Sequence, residues 1–142
     1  MSTEPDPATS AWMSMRRLVL ELHDRRAAVS EETGMSYLRV KALHRLMAGP
    51  LPMRELSAAL MTDAPYTTVM VDDLEKRGLA TRKVNPSDRR SKLVEITPAG
   101  RGVARKAEQV QSAPPTAIAA LSQKDLATLE RTLRRLVDDT AP

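Results

Sequence analysis

The sequence contains no cysteine and no phenylalanine, and its 142 residues include one tryptophan, two tyrosines and two histidines. The missing cysteine excludes disulfides, thiolate zinc sites and thiol-based oxidant sensing. Two histidines cannot build a histidine-rich metal centre, so no metal or cofactor is expected. No apolar run approaches the ~18 residues that span a bilayer, so no membrane partner is expected. The opening Met-Ser-Thr-Glu-Pro-Asp-Pro is acidic and polar. It does not read as a secretory signal, and the expected location is the cytoplasm. Catalytic signatures are missing too. There is no Gly-rich phosphate loop, no Gly-x-Ser-x-Gly and no His-Glu-x-x-His. His23 and His44 fall on separate expected helices, so the chain reads as a non-enzyme.

What remains is apolar material rich in Leu, Ala, Val and Met, at 42% hydrophobic residues. Ala, Leu, Met and Arg favour helices over sheets. The net charge is +4, and it is concentrated in the middle of the chain. Residues 76–92 hold Lys76, Arg77, Arg82, Lys83, Arg89, Arg90 and Lys92 against the single acid Asp88. Such a run is either a solvated basic hairpin or a phosphate-binding surface.

The expected order is helix, helix, helix–turn–helix, hairpin, helix, helix. Residues 1–9 read as a disordered tail. Ser10 caps a long helix running to about 28–32, with Trp12, Met15, Val19, Leu22 and Val29 on one face. Ser36 caps a second, striped by Val40, Leu43 and Met47 and stopped at Gly49-Pro50. Pro52 opens a short third helix bearing Met53, Leu56 and Leu60. Asp63 and Pro65 start a fourth, from about Ala64 to Arg77, with Thr67, Met70, Val71 and Leu74 inward. Residues 79–84 and 92–96 read as strands around the turn Asn85-Pro86-Ser87-Asp88. Thr97 and Pro98 begin a helix with the small stripe Ala99, Val103, Ala107 and Val110, broken at Pro114-Pro115. Ser122 and Asp125 cap the last helix, in which Leu126, Leu129, Leu133 and Leu136 follow a helix–helix seam.

Two short helices joined by a tight turn and followed by a basic hairpin make a winged helix-turn-helix. The second helix of such a pair fits a DNA major groove ~12 Å wide. The hairpin reaches the backbone or a minor groove, whose negative potential attracts arginine.

Three blocks carry a more specific resemblance: Arg54-Glu55-Leu56-Ser57-Ala58-Ala59-Leu60, then Val71-Asp72-Asp73-Leu74-Glu75-Lys76-Arg77-Gly78-Leu79, then the stretch from Asn85 to Gly100. Together they resemble the MarR family of bacterial transcription regulators. The wing pattern Asp-x-Arg-x-x-x-Val-x-Leu-Thr is met by Asp88, Arg90, Val94, Ile96 and Thr97, with Ile for Leu. The resemblance covers about 36–101. It implies a mainly α fold with a small antiparallel β-hairpin, a winged helix-turn-helix flanked by N- and C-terminal dimerisation helices. It also implies a homodimer, most simply a repressor, on pseudo-palindromic double-stranded DNA.

The expected organisation is a tail at 1–9, a dimerisation helix at 10–35, a DNA-binding lobe at 36–97 and dimerisation helices at 98–142. The resemblance places Arg90 in the minor groove with Arg89 beside it at the tip, while Asp88 fixes the turn and orients the arginine. Lys92 and Arg54 complete the expected cationic surface. On the fourth helix and its entry, the expected contacts are Thr62, Pro65, Tyr66, Thr67, Thr68 and Val69. Val69 departs from the family, in which a basic residue is common here, so base readout would lean on shape and on the wing. Tyr66 reads equally as a packing residue beside the turn.

The stripe residues Val19, Leu22, Leu126, Leu129, Leu133 and Leu136 are the expected dimer interface. Trp12, Met13, Arg16, Tyr37, His44 and Met47 are candidates for a cleft that takes a small aromatic or phenolic effector, an arginine there pairing a carboxylate. The plainer alternative makes them core and interface residues. A winged helix that binds a protein and reads no DNA sequence is the competing function.

Overall fold

A computed structural model describes residues 4–142. The chain forms α1 (Pro7–Arg17), a π-helical turn (Leu18–Leu22), α2 (Arg26–Thr33), α3 (Tyr37–Leu46), β1 (Leu51–Pro52), α4 (Met53–Leu60), α5 (Ala64–Lys76), β2 (Ala80–Val84), β3 (Lys92–Ile96), α6 (Pro98–Ser112), α7 (Thr116–Ala119) and α8 (Gln123–Thr140). It divides into two compact units, one ending at Ser112 and the other spanning Ala113–Pro142. The fold is mainly helical with a small antiparallel sheet, as the residue pattern predicts.

The first helix departs from expectation at both ends. It starts three residues before Ser10, because Asp6 accepts from the amides of Ala8 and Thr9 at 3.0 and 3.2 Å while Pro7 occupies the first turn. Residues 7–9 are therefore helical, and residues 1–3 of the expected tail lie outside the described residues. The expected single helix also does not run on to about 28–32. It closes in the π-helical turn, and His23 leaves helical geometry with φ −131°. Asp24 then restarts the chain by accepting from the Arg26 amide at 2.9 Å. The Arg26 guanidinium joins it at 2.6 Å, and its hydrogen bonds pull the Asp24 carboxyl down to about 2. A short acidic side chain offering the backbone a local partner interrupts a helix that periodicity alone would continue.

The first unit has one aliphatic core, drawn from Val29, Val40, Leu43, Leu46, Leu56, Met70, Leu74 and Val94 among others. No aromatic side chain is fully buried in it. Helix α6 belongs to this unit and packs on α2 and α3. Its inward face is Gly100, Ala104 and Ala107, with Val103 and Val110 half-buried beside them. Ala99, expected in that stripe, is exposed, because the stripe begins one residue later.

The sheet has three strands rather than two, in the order β1-β3-β2. Leu51 pairs with Val94 and Pro52 with Leu93, while β2 and β3 pair from Ala80–Ile96 to Val84–Lys92. A two-residue strand containing proline gives no alternation to read, and proline is tolerated there because the strand is an edge. Thr97 latches the base of the hairpin. Its amide donates to the Leu79 carbonyl at 3.0 Å and its hydroxyl to the Gly78 carbonyl at 2.7 Å. Gly100 sits beneath this latch. A Cβ there would collide with the Leu79 carbonyl oxygen and lie 2.8 Å from Ile96 Cγ1. Gly100→Ala is therefore expected to lower stability by about 2 kcal/mol, read by chemical denaturation. An unchanged midpoint would show that the hairpin base yields freely.

Candidate nucleic-acid interface

Asp63 starts α5 as read from the sequence, accepting from the Tyr66 amide at 2.7 Å. Met61 closes α4 in the left-handed region with φ 54°, and Thr62 donates its amide to the Ser57 carbonyl at 3.1 Å. This tight turn sets the angle between the two helices. A hydroxyl pair then locks it. Ser57 donates to Thr67 Oγ1 at 2.7 Å, and Thr67 donates to the Asp63 carbonyl at 2.8 Å. Thr67 is fully buried. It cannot touch a nucleic acid and is withdrawn from the expected contacts: the inward stripe claims it. Thr67→Val keeps the volume but strips Ser57 of its acceptor. The expected loss is about 1–2 kcal/mol of folding stability, measured by thermal or urea unfolding.

Pro65, Tyr66, Thr68 and Val69 form the exposed face of α5. Tyr66 is 41% exposed, and its hydroxyl has no protein partner among the described residues, which argues against a packing role. Thr68 is exposed and donates back to the Ala64 carbonyl at 3.1 Å.

The wing tip is tied by two side chains. Asn85 Nδ2 donates to Ser91 Oγ at 3.0 Å, while Asn85 Oδ1 accepts from the Ser87 amide at 3.0 Å. Asp88 Oδ1 accepts from the Arg90 amide at 3.0 Å. Asp88 thus fixes the turn through the Arg90 backbone rather than by pairing with a guanidinium. Arg89 and Arg90 keep their charged ends without a partner among the described residues, as do Lys92 and Arg54. Elsewhere in the basic run most charges are paired, Lys76 at the end of α5 being the exception among the described residues. Arg77 pairs with Asp73, Lys83 with Glu95, and Arg82 with both Asp72 and Glu75. Four cations without a partner among the described residues, Arg54, Arg89, Arg90 and Lys92, gather at the wing tip and along the adjoining groove. That groove has a volume of about 510 Å³, and its lining includes Arg54, Thr68, Arg90 and Lys92.

Helix α3 is braced on α5 from behind. Arg39 Nε meets Asp73 Oδ2 at 2.8 Å, and Arg77 Nε meets the same oxygen at 3.0 Å. Partial burial pushes the Asp73 carboxyl up, but the two guanidinium groups outweigh it and hold it below its ordinary value. The sequence alone did not single out Arg39, Ser57 or Arg82. Their partners lie at separations of 34, 10 and 7–10 residues, which no local periodicity links.

The six cleft candidates do not converge within the single chain. Tyr37 and His44 line a cavity of about 330 Å³ between α3 and α6, beside Lys41, Arg45, Glu108 and Gln111. Met13 and Arg16 border a shallow surface depression on α1, and Trp12 stands 60% exposed on the same helix. Met47 is half-buried against the core, with Arg101 Nη1 3.4 Å from its carbonyl. Of the six expected interface positions, Val19 and Leu22 fall in the π-helical turn and are exposed, as are Leu126, Leu133 and Leu136 on α8. Leu129 is half-buried. Among the described residues, no helix is long and apolar enough to cross a membrane.

Residues 40–92 match the model of the MarR family. Solved structures of the same fold span nearly the whole chain. Wild-type MarR from E. coli in its apo form is 22% identical, with a TM-score of 0.71 over 95% of this chain and 99% of that one. A transcriptional regulator from Thermotoga maritima is 23% identical, with a TM-score of 0.75 over 90% and 92%. A MepR variant from S. aureus, bound to an oligodeoxyribonucleotide, is 18% identical, with a TM-score of 0.67 over 92% and 96%. At these identities the likeness is one of fold. No curated protein matches the chain.

Proposed function

We propose, from the premise that residues 40–92 carry a MarR-family domain, that the chain is a cytoplasmic transcription regulator acting as a homodimer. Each protomer lays α5 in a major groove and its wing along the flanking minor groove. The carrying observation is the set of unpartnered cations Arg54, Arg89, Arg90 and Lys92 at the wing and its groove. The oligodeoxyribonucleotide bound to the MepR variant of the same fold supports this reading. A twofold dimer would set two α5 helices one DNA turn apart, ~34 Å, and so select an inverted repeat. Repression follows in the simplest case from occupying a promoter.

The exposed apolar residues of α1, the π-helical turn and α8 are the surfaces a second copy would cover. The cavity holding Tyr37 and His44 is the better place for a small effector. Its size suits one aromatic ring, and Lys41 and Arg45 outnumber Glu108 in its lining, which favours an anion. Such a ligand would act by favouring one separation of the two α5 helices over another.

Salt titration tests the DNA reading. Each neutralised phosphate adds about −0.9 to the slope of log K against log salt. Four cations per protomer predict a slope of roughly −4 for one DNA-binding lobe and roughly −7 for two. A near-zero slope would favour the competing reading, a protein-binding winged helix, which the uncharged Val69 on the exposed face of α5 otherwise keeps open.

A further inference from the structure

One residue on the exposed face of α5 is out of place for a surface that meets phosphates. Asp72 follows Pro65, Thr68 and Val69 at helical spacing, and its side chain is 47% exposed. A bare carboxylate there would repel DNA. It is not bare: Arg82, from the middle of β2, reaches back and pairs with it. The same guanidinium contacts Glu75, with Nη2 and Nε 2.9 and 3.2 Å from Oε2. The other Glu75 oxygen accepts the Arg82 backbone amide at 2.7 Å. One strand residue is thus gripped by side chain and backbone together. Arg82's hydrogen bonds hold the Glu75 carboxyl below its ordinary value, and those of Glu75 and Asp72 raise the guanidinium.

Arg82 also lines the groove shared by Arg90, Lys92 and Thr68. By composition it counts as one more phosphate contact. By geometry its Nε and Nη2 are committed to carboxylates, leaving Nη1 alone without a partner among the described residues, and only 25% of its side chain is exposed. We infer that Asp72, Arg82 and Glu75 form a clasp that sets the wing's angle to α5, with Arg82 as a positioning residue that also masks the Asp72 charge. The inference rests on the DNA-binding reading above. It explains how an α5 face without a basic residue at Val69 can be specific: the clasp fixes the distance from that face to Arg90, so only DNA whose two grooves match that span satisfies both.

The sign of one substitution separates clasp from contact. Glu75→Gln removes a negative charge beside the groove. If Arg82 contacts phosphate, freeing it tightens binding to every duplex. If it positions the wing, specific binding weakens while nonspecific binding holds or rises. The probes are the duplex that the wild-type chain enriches from a randomised pool and a scrambled duplex of equal composition. Glu75→Gln is expected to lose about tenfold on the enriched duplex and nothing on the scrambled one. Arg82→Ala is expected to lose at least as much, and the double variant no more than Arg82→Ala alone. Arg82→Lys keeps the charge without the two-nitrogen grip. It is expected to fall between, which decides the matter if Arg82→Ala does not fold. Equal or tighter binding of the enriched duplex by Glu75→Gln, or losses that simply add, would overturn the clasp. A wild-type chain that enriches no duplex would instead overturn the DNA-binding reading, and the clasp with it.

Discussion

Arg90→Ala is expected to weaken binding to a selected duplex by about a hundredfold while leaving fold and oligomeric state unchanged. The guanidinium has no protein partner among the described residues, so its removal exposes no orphaned carboxylate. The Asp88 carboxylate keeps its hold on the backbone amide of residue 90, which any side chain supplies. The wing tip should therefore keep its shape. A well-placed arginine contact is worth about 1–3 kcal/mol, and a twofold complex loses it twice, so a hundredfold is a figure toward the lower end of the expected range. Fluorescence anisotropy on a labelled duplex reads the affinity, and a melting curve checks the fold. Undiminished affinity would remove the wing from the interface.

Leu133→Lys is expected to dissociate the proposed dimer. Helix α8 has a charged face, and the opposite side carries Leu126, Leu129, Leu133 and Leu136 with no fully buried residue. Covering the exposed part of Leu133 is worth on the order of 1 kcal/mol, a twofold seam uses the position twice, and a lysine there adds the cost of burying a charge. Replacing it with lysine would weaken association by a hundredfold or more. Since Leu133 is 38% exposed in the single chain, its loss should leave helix content intact. Sedimentation equilibrium would then give a monomer at concentrations where the parent chain is a dimer. Tandem half-site binding would weaken with it, because the second lobe is no longer delivered at high effective concentration. An unchanged mass would move the interface away from α8.

Where the sequence was readable, a local rule was at work. Asp63 with Pro65, Ser36 and Ser122 each announced a helix start, and the structure shows each side chain accepting the expected amide. The three linked motif blocks located the wing and its arginines. The readings that changed involve competition between local signals or partners distant in sequence. Ser10 looked like a cap but lost to Asp6, which had a proline after it. The apolar period through 12–29 concealed the Asp24 turn, since periodicity reports which face is apolar and not whether the backbone continues. Thr67 carried two incompatible readings, and burial decided between them. Arg82 looked like one basic residue among seven. Only the geometry shows that it pairs with Asp72 and Glu75, whereas the Arg90 side chain has no partner among the described residues.

The central claim, a dimer that reads DNA sequence through α5 and the wing, is tested most directly by selection. The purified chain would be mixed with genomic fragments at ~150 mM salt, where nonspecific phosphate binding is weakened, and the bound DNA sequenced. The account predicts an enriched inverted repeat with half-sites about one helical turn apart. Enrichment no greater than for scrambled DNA would contradict it.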